Sequence, residues 1–236
     1  MKFTIFVTVV LGAFMVVGCS KKSAAPTEPT VSAPSIPEYT FTGPTTSSND
    51  PYAAEVKALT QSANVYTAYF ATFGSQVGTQ NGNTWTWTYS APNWSITFTG
   101  TKNSDGSYTW KWVENGTDPQ TQTTYNNWTL LEGTSGADGK TGEWKIYQDN
   151  TTTLSATYSW SVDANGTAMA TLTDYMDDGT TVNSKIVITN NSDKSGEVDS
   201  YDGTTLTFKA TWTSSGTGQW WEYDTDGTSL GNGSWT

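Results

Sequence analysis

From Asn83 to the end of the chain, apolar and polar residues alternate with a period of two. One side of each run is aromatic or aliphatic, and the other side is mostly threonine and serine. Successive side chains of a β-strand point to opposite faces, so this alternation predicts antiparallel strands that bury one face. The clearest runs are Trp85–Tyr89, Trp94–Phe98, Tyr108–Trp112, Leu154–Val162 and Leu206–Trp212.

Short turn motifs separate these runs. Asp-Gly and Asn-Gly pairs are strong signals for hairpins, and they occur at Asp105-Gly106, Asp138-Gly139, Asn165-Gly166, Asp178-Gly179, Asp202-Gly203 and Asp226-Gly227. The runs between turns predict about ten to twelve strands in which sequence neighbours also pair in space. A meander this long leaves edges that invite unwanted pairing. We therefore expect an all-β fold with one N-terminal helix, as an antiparallel up-and-down meander that forms a closed or nearly closed barrel.

One segment before the strands has helical periodicity. Asp50 is a good N-cap, Pro51 suits the first helical position, and Gly74 favours a stop. We expect the apolar stripe between them to pack on the domain's own sheet; the alternative is a helix that binds a partner or lies on a membrane. The stripe consists of Val56, Leu59, Ala63, Tyr66, Phe70 and Phe73, widened by Val65 and Tyr69.

The N-terminal part of the chain is a lysine followed by an apolar run that ends at the only cysteine. This run is too short for a stable membrane span, so residues 1–18 are predicted to be a secretory signal peptide. Val16-Val17-Gly18-Cys19 resembles the lipobox of bacterial lipoproteins, in which the cysteine is lipidated and becomes the new N-terminus. An ordinary signal peptide that happens to end near a cysteine is the alternative.

The lipobox resemblance implies a location and a domain organisation. Acyl chains on Cys19 would hold the protein on a membrane of the cell envelope, at the periplasmic face of the outer membrane or at the cell surface. Residues 19–49 are rich in proline, serine and threonine, and we expect them to form a flexible tether. Residues 50–236 are predicted to form one domain of helix and β-meander.

Composition narrows the classes of function. The formal net charge is −11, and every basic residue is a lysine, with no arginine or histidine. This disfavours nucleic-acid binding, because phosphate backbones are usually bound by arginine-rich basic patches. It excludes histidine-based catalysis and histidine metal ligation. Carboxylates, lysine, tyrosine and hydroxyl groups remain for chemistry.

Two segments share a Gly-x-Trp-x-x-Tyr spacing. Residues 139–147 and 218–223 both contain it, and both resemble the YwqK-type variant of the MORN repeat, which is a β-hairpin unit. The resemblance covers a small part of the chain. It implies a β-meander and, at most, an interaction surface, and no activity follows from it.

Two adjacent tryptophans suggest where a binding surface lies. Neighbours on a strand point to opposite faces, so one of Trp220 and Trp221 must leave the core. Aligning the two repeats places Trp221 and Tyr223 on the face of Lys145 and Tyr147. We therefore predict Trp221, Tyr223 and Tyr147 as ligand-binding residues of an exposed aromatic strip for a glycan or an envelope protein. A bulge or a packed helix that buries both tryptophans is the alternative.

Carboxylates offer two further alternatives. The first is a calcium site at the acid-rich segments 174–179 and 224–227, since calcium prefers about six to eight oxygen ligands. Hairpin turns explain these acids without a metal, so we expect no metal and no cofactor.

The second is glycoside hydrolysis, for which two acids suffice. The candidate acids are Glu114, Glu132, Glu143, Glu197 and Glu222. Nothing in the sequence brings two of them across a cleft. We therefore expect a non-catalytic domain with a ligand-binding, partner-binding or structural role, with a carbohydrate-active enzyme as the alternative.

Overall fold

The structure, a computed structural model, describes residues 39–46, 49–74 and 78–236, and for residues 65–74 it describes the backbone alone. The predicted signal peptide and Cys19 lie outside the described residues, as does most of the predicted tether.

In the described part of the chain one helix, α1 (Pro51–Gly74), precedes the sheet. The predicted N-cap is confirmed, since Asp50 Oδ1 accepts the backbone N–H groups of Tyr52 at 2.9 Å and Ala53 at 3.2 Å. The carboxylate thereby satisfies donors that a helix leaves unpaired at its start. Across residues 39–46, 49–74 and 78–236, no helix has the length and apolar character needed to cross a membrane.

In the part of the chain that the structure describes, thirteen strands form one sheet, and each pairs antiparallel with its neighbours in sequence, which confirms the predicted meander. The predicted count of ten to twelve was too low, partly because β1 contains no apolar residue to reveal it. The strands are β1 (Thr79–Asn81), β2 (Thr84–Ala91), β3 (Trp94–Lys102), β4 (Tyr108–Thr117), β5 (Thr124–Ser135), β6 (Thr141–Tyr147), β7 (Leu154–Val162), β8 (Ala168–Tyr175), β9 (Val182–Asn190), β10 (Gly196–Asp202), β11 (Thr205–Trp212), β12 (Gly218–Tyr223) and β13 (Ser229–Trp235).

The predicted closure into a barrel is not confirmed. Within the described chain β1 and β13 do not pair, so they remain the two edges of an open sheet. β1 is only three residues long and offers few ladder hydrogen bonds to another strand. At the other edge, Thr46 Oγ1 donates to the carbonyl of Thr236 at 3.0 Å, just beyond β13. Short edge strands and covered strand ends are two ways in which open sheets avoid unwanted pairing.

The sheet has an apolar face and a polar face. The apolar face carries fully buried aromatic side chains, and their rings contact one another across the strands: the Phe98 and Trp110 centroids are 5.5 Å apart, and those of Trp110 and Trp144 are 6.1 Å apart. The polar face carries mostly threonine and serine, including the direct cross-strand pair Thr86–Thr99. The alternation in the sequence therefore predicted the two faces correctly.

Helix α1 packs against the sheet at β8, β9 and β10. Val56, Leu59 and Ala63 of the predicted stripe are buried, which confirms the expected packing for the residues whose side chains are described. At the start of the helix, the ring of Tyr52 stacks on Trp220 with centroids 3.7 Å apart. The helix thus covers part of the apolar face, which a closed barrel would enclose without it.

Residues 39–46 also pack on the helix and the sheet. Phe41 is buried in the core, and its backbone N–H donates to Asn64 Oδ1 at 2.8 Å. Two hydrogen bonds join Thr42 to the buried Asn190 of β9, with lengths of 2.7 and 3.0 Å. These residues fall within the segment assigned to the tether, so packing against the domain begins before the helix does.

A tryptophan lies over a glycine in many of the hairpins. Gly142, Gly196 and Gly218 each face a tryptophan on the next strand, namely Trp160, Trp212 and Trp235. In each case the indole N–H donates to a carbonyl in the preceding turn, at 2.9, 3.0 and 2.8 Å respectively. Only glycine leaves room for a ring in this position, so the pair fixes both the strand register and the turn.

Candidate functional site

The polar face contains a wide groove at strands β4, β5 and β6, which we call the β4–β6 groove. It encloses about 800 Å³ and is lined by Lys111, residues 126–129, Glu132, Tyr147 and residues 150–153. This volume is within the range of small-molecule sites, which runs from about 300 to 1,000 Å³. The lining is mostly amide, hydroxyl and charged groups, which suits a polar ligand.

Irregular pairing between β4 and β5 opens the groove. The register shifts between Trp112 and Val113 and again between Glu114 and Gly116. On β5, Asn127 has a φ of 50°, a left-handed conformation that asparagine tolerates better than most residues. Bulges of this kind bend a strand and re-aim its side chains. As a result the strand does not alternate here, and both Asn126 and Asn127 are exposed.

The turn between β6 and β7 forms one wall of the groove, and side chains tie it to β5. The indole N–H of Trp128 donates to the carbonyl of Thr151 at 3.1 Å, and Asn150 Nδ2 donates to the carbonyl of Thr124 at 3.1 Å. The Trp128 ring in turn stacks on Tyr125, with centroids 4.8 Å apart. These contacts hold the wall in place and leave Thr151 and Thr152 exposed to the groove.

A tyrosine–carboxylate pair also lines the groove. Tyr147 Oη donates to Glu132 Oε1 at 2.6 Å. Burial, together with this hydrogen bond and the negative charge of Glu132, raises the pKa of Tyr147 to about 12. Tyr147 is therefore a neutral donor at physiological pH. Glu132 stands opposite Lys111 on one side and Lys145 on the other, so acidic and basic groups alternate across the three strands.

A buried carboxyl group lies nearby on the apolar face. Glu114 Oε1 accepts the indole N–H of Trp112 at 3.2 Å, and its Oε2 accepts that of Trp94 at 3.3 Å. Burial raises the pKa of Glu114 to about 7; the two indole hydrogen bonds oppose this, and the negative charges of Asp118 and Asp149 add to it. The group is therefore partly protonated near neutral pH.

The predicted ligand-binding residues share a face but do not meet in one site. Tyr147 lines the β4–β6 groove, whereas Trp221 and Tyr223 lie on β12. Strands β6 and β12 are six strand spacings apart, about 29 Å along the sheet at about 4.8 Å per spacing. Direct cross-strand pairs nevertheless connect the two strands along one face of the sheet, because Glu143 at the far end shares a face with Lys145. The successive partners are Trp221, Lys209, Asp199, Val187, Thr171, Ser159 and Glu143.

The two adjacent tryptophans of β12 do point to opposite faces. Trp220 stacks on Tyr52 of the helix and lies opposite Ala210, so it belongs to the apolar face. Trp221 lies opposite Lys209 and Asn232 on the polar face, where it is half-buried.

The five candidate acids do not form a catalytic pair in the groove. Glu132 lines the groove, whereas Glu114 is on the other face of the sheet. Glu197 forms an ion pair with Lys209 at 2.6 Å, far along the sheet, and Glu222 accepts the hydroxyl of Tyr52 at 3.2 Å. Glu143 is on β6, exposed on the polar face outside the groove lining.

The acid-rich turns use their carboxylates to hold the backbone. Asp178 Oδ1 accepts the N–H groups of Thr180 and Thr181, both at 2.8 Å, and these bonds together with the Thr181 hydroxyl lower the pKa of Asp178 to about 2. Asp226 Oδ1 accepts the N–H of Thr228 at 2.8 Å in the same manner. The hairpins therefore account for these acids as turn residues.

Most of the groove was missed from the sequence. The interrupted alternation at Asn126 and Asn127 was the available signal, because two exposed neighbours on a strand require a bulge. Asn150 was missed because its turn contains no glycine; its φ is 56°. The φ is as positive in three other turns without glycine at that position, namely at Asn93, Gln122 and Lys194. The chain matches no protein-family model, and no curated protein is similar to it in sequence.

Proposed function

We propose that the protein is a cell-envelope lipoprotein whose β domain binds a hydroxyl-rich ligand, a glycan, in the β4–β6 groove without catalysing a reaction. The observation that carries the proposal is the lining of the groove. It combines the exposed amides of Asn126 and Asn150, the hydroxyls of Thr151 and Thr152, and the neutral phenol of Tyr147. The amides can donate and accept hydrogen bonds as sugar hydroxyls require. The hydroxyls of Tyr147 and Thr151 already donate to Glu132 and to the Gln148 carbonyl, so their oxygens offer acceptors to the sugar.

A non-catalytic role is favoured over glycoside hydrolysis by the arrangement of the acids. Hydrolysis requires two carboxyl groups that flank one bond. Among the described residues that line the groove, Glu132 is the acid, and its Oε1 is occupied by Tyr147. Analysis of the glycan after incubation with the protein separates binding from hydrolysis. Cleavage that Glu132→Gln abolishes would support a glycoside hydrolase instead.

The proposed location is a membrane of the envelope, with Cys19 as the lipidated residue and the following segment as a tether. Cys19→Ser is expected to move the protein from the membrane fraction to the soluble fraction, because acyl chains are the proposed source of membrane affinity. Fractionation followed by immunodetection measures this change. Ser20→Ala is the control and should leave the protein in the membrane fraction; membrane retention of Cys19→Ser would contradict lipid anchoring.

Asn126→Ala tests the groove. This exposed amide is expected to contribute one hydrogen bond to the ligand, so its loss should weaken binding about fivefold. The measurement is isothermal titration calorimetry of the full chain in detergent with neutral oligosaccharides identified on a glycan array.

Asn165→Ala is the matched control, since Asn165 is an exposed asparagine in the turn between β7 and β8, away from the groove. It should bind as the unmodified protein does. Equal affinities for the two variants would show that the glycan does not bind in the β4–β6 groove. If no glycan on the array bound the protein, the proposed function would be wrong.

A further inference from the structure

Four alternate strands carry a tyrosine at the same structural position. In β6, β8, β10 and β12, the ladder to the following strand shifts register immediately before this tyrosine. Even-numbered strands of a meander all run in the same direction, so the four residues lie towards the same end of the sheet. We call this set the tyrosine row; it consists of Tyr147, Tyr175, Tyr201 and Tyr223.

Contacts place the tyrosine row on the polar face. Each of the first three residues reaches back to the preceding strand: Tyr147 Oη to Glu132 at 2.6 Å, Tyr175 Oη to the Thr157 hydroxyl at 3.4 Å, and the Tyr201 ring to Lys185 Nζ at 3.9 Å. Tyr223 is two residues from Trp221 on β12, which keeps it on the same face by strand alternation.

All four side chains are half-buried, so each ring is held by the sheet and also meets solvent. Between them the face presents hydroxyls, including those of Thr157 and Thr171, and the ion-paired side chains of Lys209, Glu197 and Asp199. A half-buried aromatic ring surrounded by hydroxyl groups suits a ligand with one apolar face and polar edges. A sugar ring has this character, since its C–H groups can stack on an aromatic ring while its hydroxyls form hydrogen bonds.

The members of the tyrosine row lie on every second strand. Successive members are therefore about 9.6 Å apart perpendicular to the strands, at about 4.8 Å per strand. Tyr201 is also offset from Tyr175 by two residues along the strands, because it pairs with Lys185, which pairs with Thr173. The length of one sugar unit in an extended chain is close to one strand spacing, so every second unit would meet a tyrosine. Sheet twist turns successive tyrosines by roughly 40–50° relative to each other. A single glycan chain in solution can follow this twist, whereas the flat surface of a crystalline glycan cannot.

We propose that the β4–β6 groove is one end of a longer binding surface, and that the tyrosine row binds a linear, uncharged glycan chain running across the strands. This inference rests on the proposed function, because Tyr147 belongs to both the groove and the tyrosine row. The chain enters at the groove and continues over Tyr175 and Tyr201 towards Tyr223. At Tyr201 it displaces the flexible side chain of Lys185 from the ring.

The length of the ligand tests the inference. A short oligosaccharide of about four units fills the groove, whereas one of about ten units also reaches Tyr175 and Tyr201. Tyr175→Leu and Tyr201→Leu are each expected to weaken binding of the long chain about fivefold, and binding of the short chain should not change. Calorimetry of the full chain in detergent measures both affinities.

Conservative and distant variants complete the design. Tyr175→Phe and Tyr201→Phe keep the ring and should keep the affinity for the long chain, which separates stacking on the ring from hydrogen bonding by the hydroxyl. Tyr89→Leu removes an exposed tyrosine of β2 from outside the tyrosine row and should change neither affinity.

Each outcome bears on a different statement. If the long glycan binds no more tightly than the short one, or if the Leu variants bind the long glycan normally, the tyrosine row does not bind glycan. The proposed binding in the β4–β6 groove is unaffected by that result. If neither chain binds, the proposed function fails and the tyrosine row fails with it. Length-dependent affinity that the Leu variants lose and the Phe variants retain supports the inference.

Discussion

Replacing Gly142 by alanine should destabilise the protein by about 3 kcal/mol, near the upper end of the usual cost of overpacking. A Cβ atom at this position would lie 2.2 Å from two ring atoms of Trp160 and 2.6 Å from the carbonyl oxygen of Thr134. The Trp160 ring cannot move aside cheaply, because its N–H is bonded to the Gly139 carbonyl and its ring stacks on Trp144. Urea unfolding followed by tryptophan fluorescence measures the loss.

Gly231→Ala is the matched control for this prediction. Gly231 lies on β13, and the nearest atoms to its Cβ position belong to Trp220 at 3.7 Å, an ordinary van der Waals contact. The change in stability should therefore stay within about 1 kcal/mol, and the lower entropy of the unfolded chain favours a small gain. Equal losses for the two variants would show that the close ring is not the cause.

Replacing Glu114 by glutamine should abolish most of the decrease in stability that the unmodified protein shows between about pH 4.5 and pH 8. Burial raises the pKa of Glu114 from 4.5 to about 7. The folded state therefore holds this proton more tightly than the unfolded state does. Its contribution to stability is fully present below pH 4.5 and is lost as the pH rises through 7. At about 1.36 kcal/mol per pKa unit, the contribution reaches about 3 kcal/mol.

The prediction concerns the slope of stability against pH. Glutamine can accept only one of the two indole N–H groups, so Glu114→Gln should be about 1 kcal/mol less stable at pH 5. The variant keeps a smaller slope from Asp174, Glu55 and Asp199, whose pKa values are also raised by burial. Urea unfolding at a series of pH values measures both effects. An unchanged slope in Glu114→Gln would contradict the assignment to Glu114.

The parts of the fold that follow from local pattern were predicted from the sequence. Alternation reveals which residues of a strand share a face, so the buried positions of Trp110 and Trp144 and the opposite faces of Trp220 and Trp221 were predictable. The helix was predictable for the same reason, because its cap at Asp50 acts on residues two and three positions away.

The parts that depend on distant pairing were not predictable in this way. Barrel closure requires β1 to meet β13, and no periodicity within either strand encodes whether the two ends of a sheet approach each other. The groove depends on a wall from the β6–β7 turn that is held by Trp128 from another strand. Likewise, Glu114 is buried on the apolar face and bonds to Trp94 of another strand as well as to Trp112 of its own, so its pKa could not be assigned from its neighbours in sequence.

Because every strand pairs only with its neighbours in sequence, the sheet is assembled in the order of the chain, and few of its contacts close long loops. Such an architecture behaves much like a repeat array, in which a unit can be added or lost without rearranging the others. Duplication of one pair of strands would lengthen the sheet by about 9.6 Å. Gene duplication within the domain would thus lengthen the polar face of the sheet in steps of constant length.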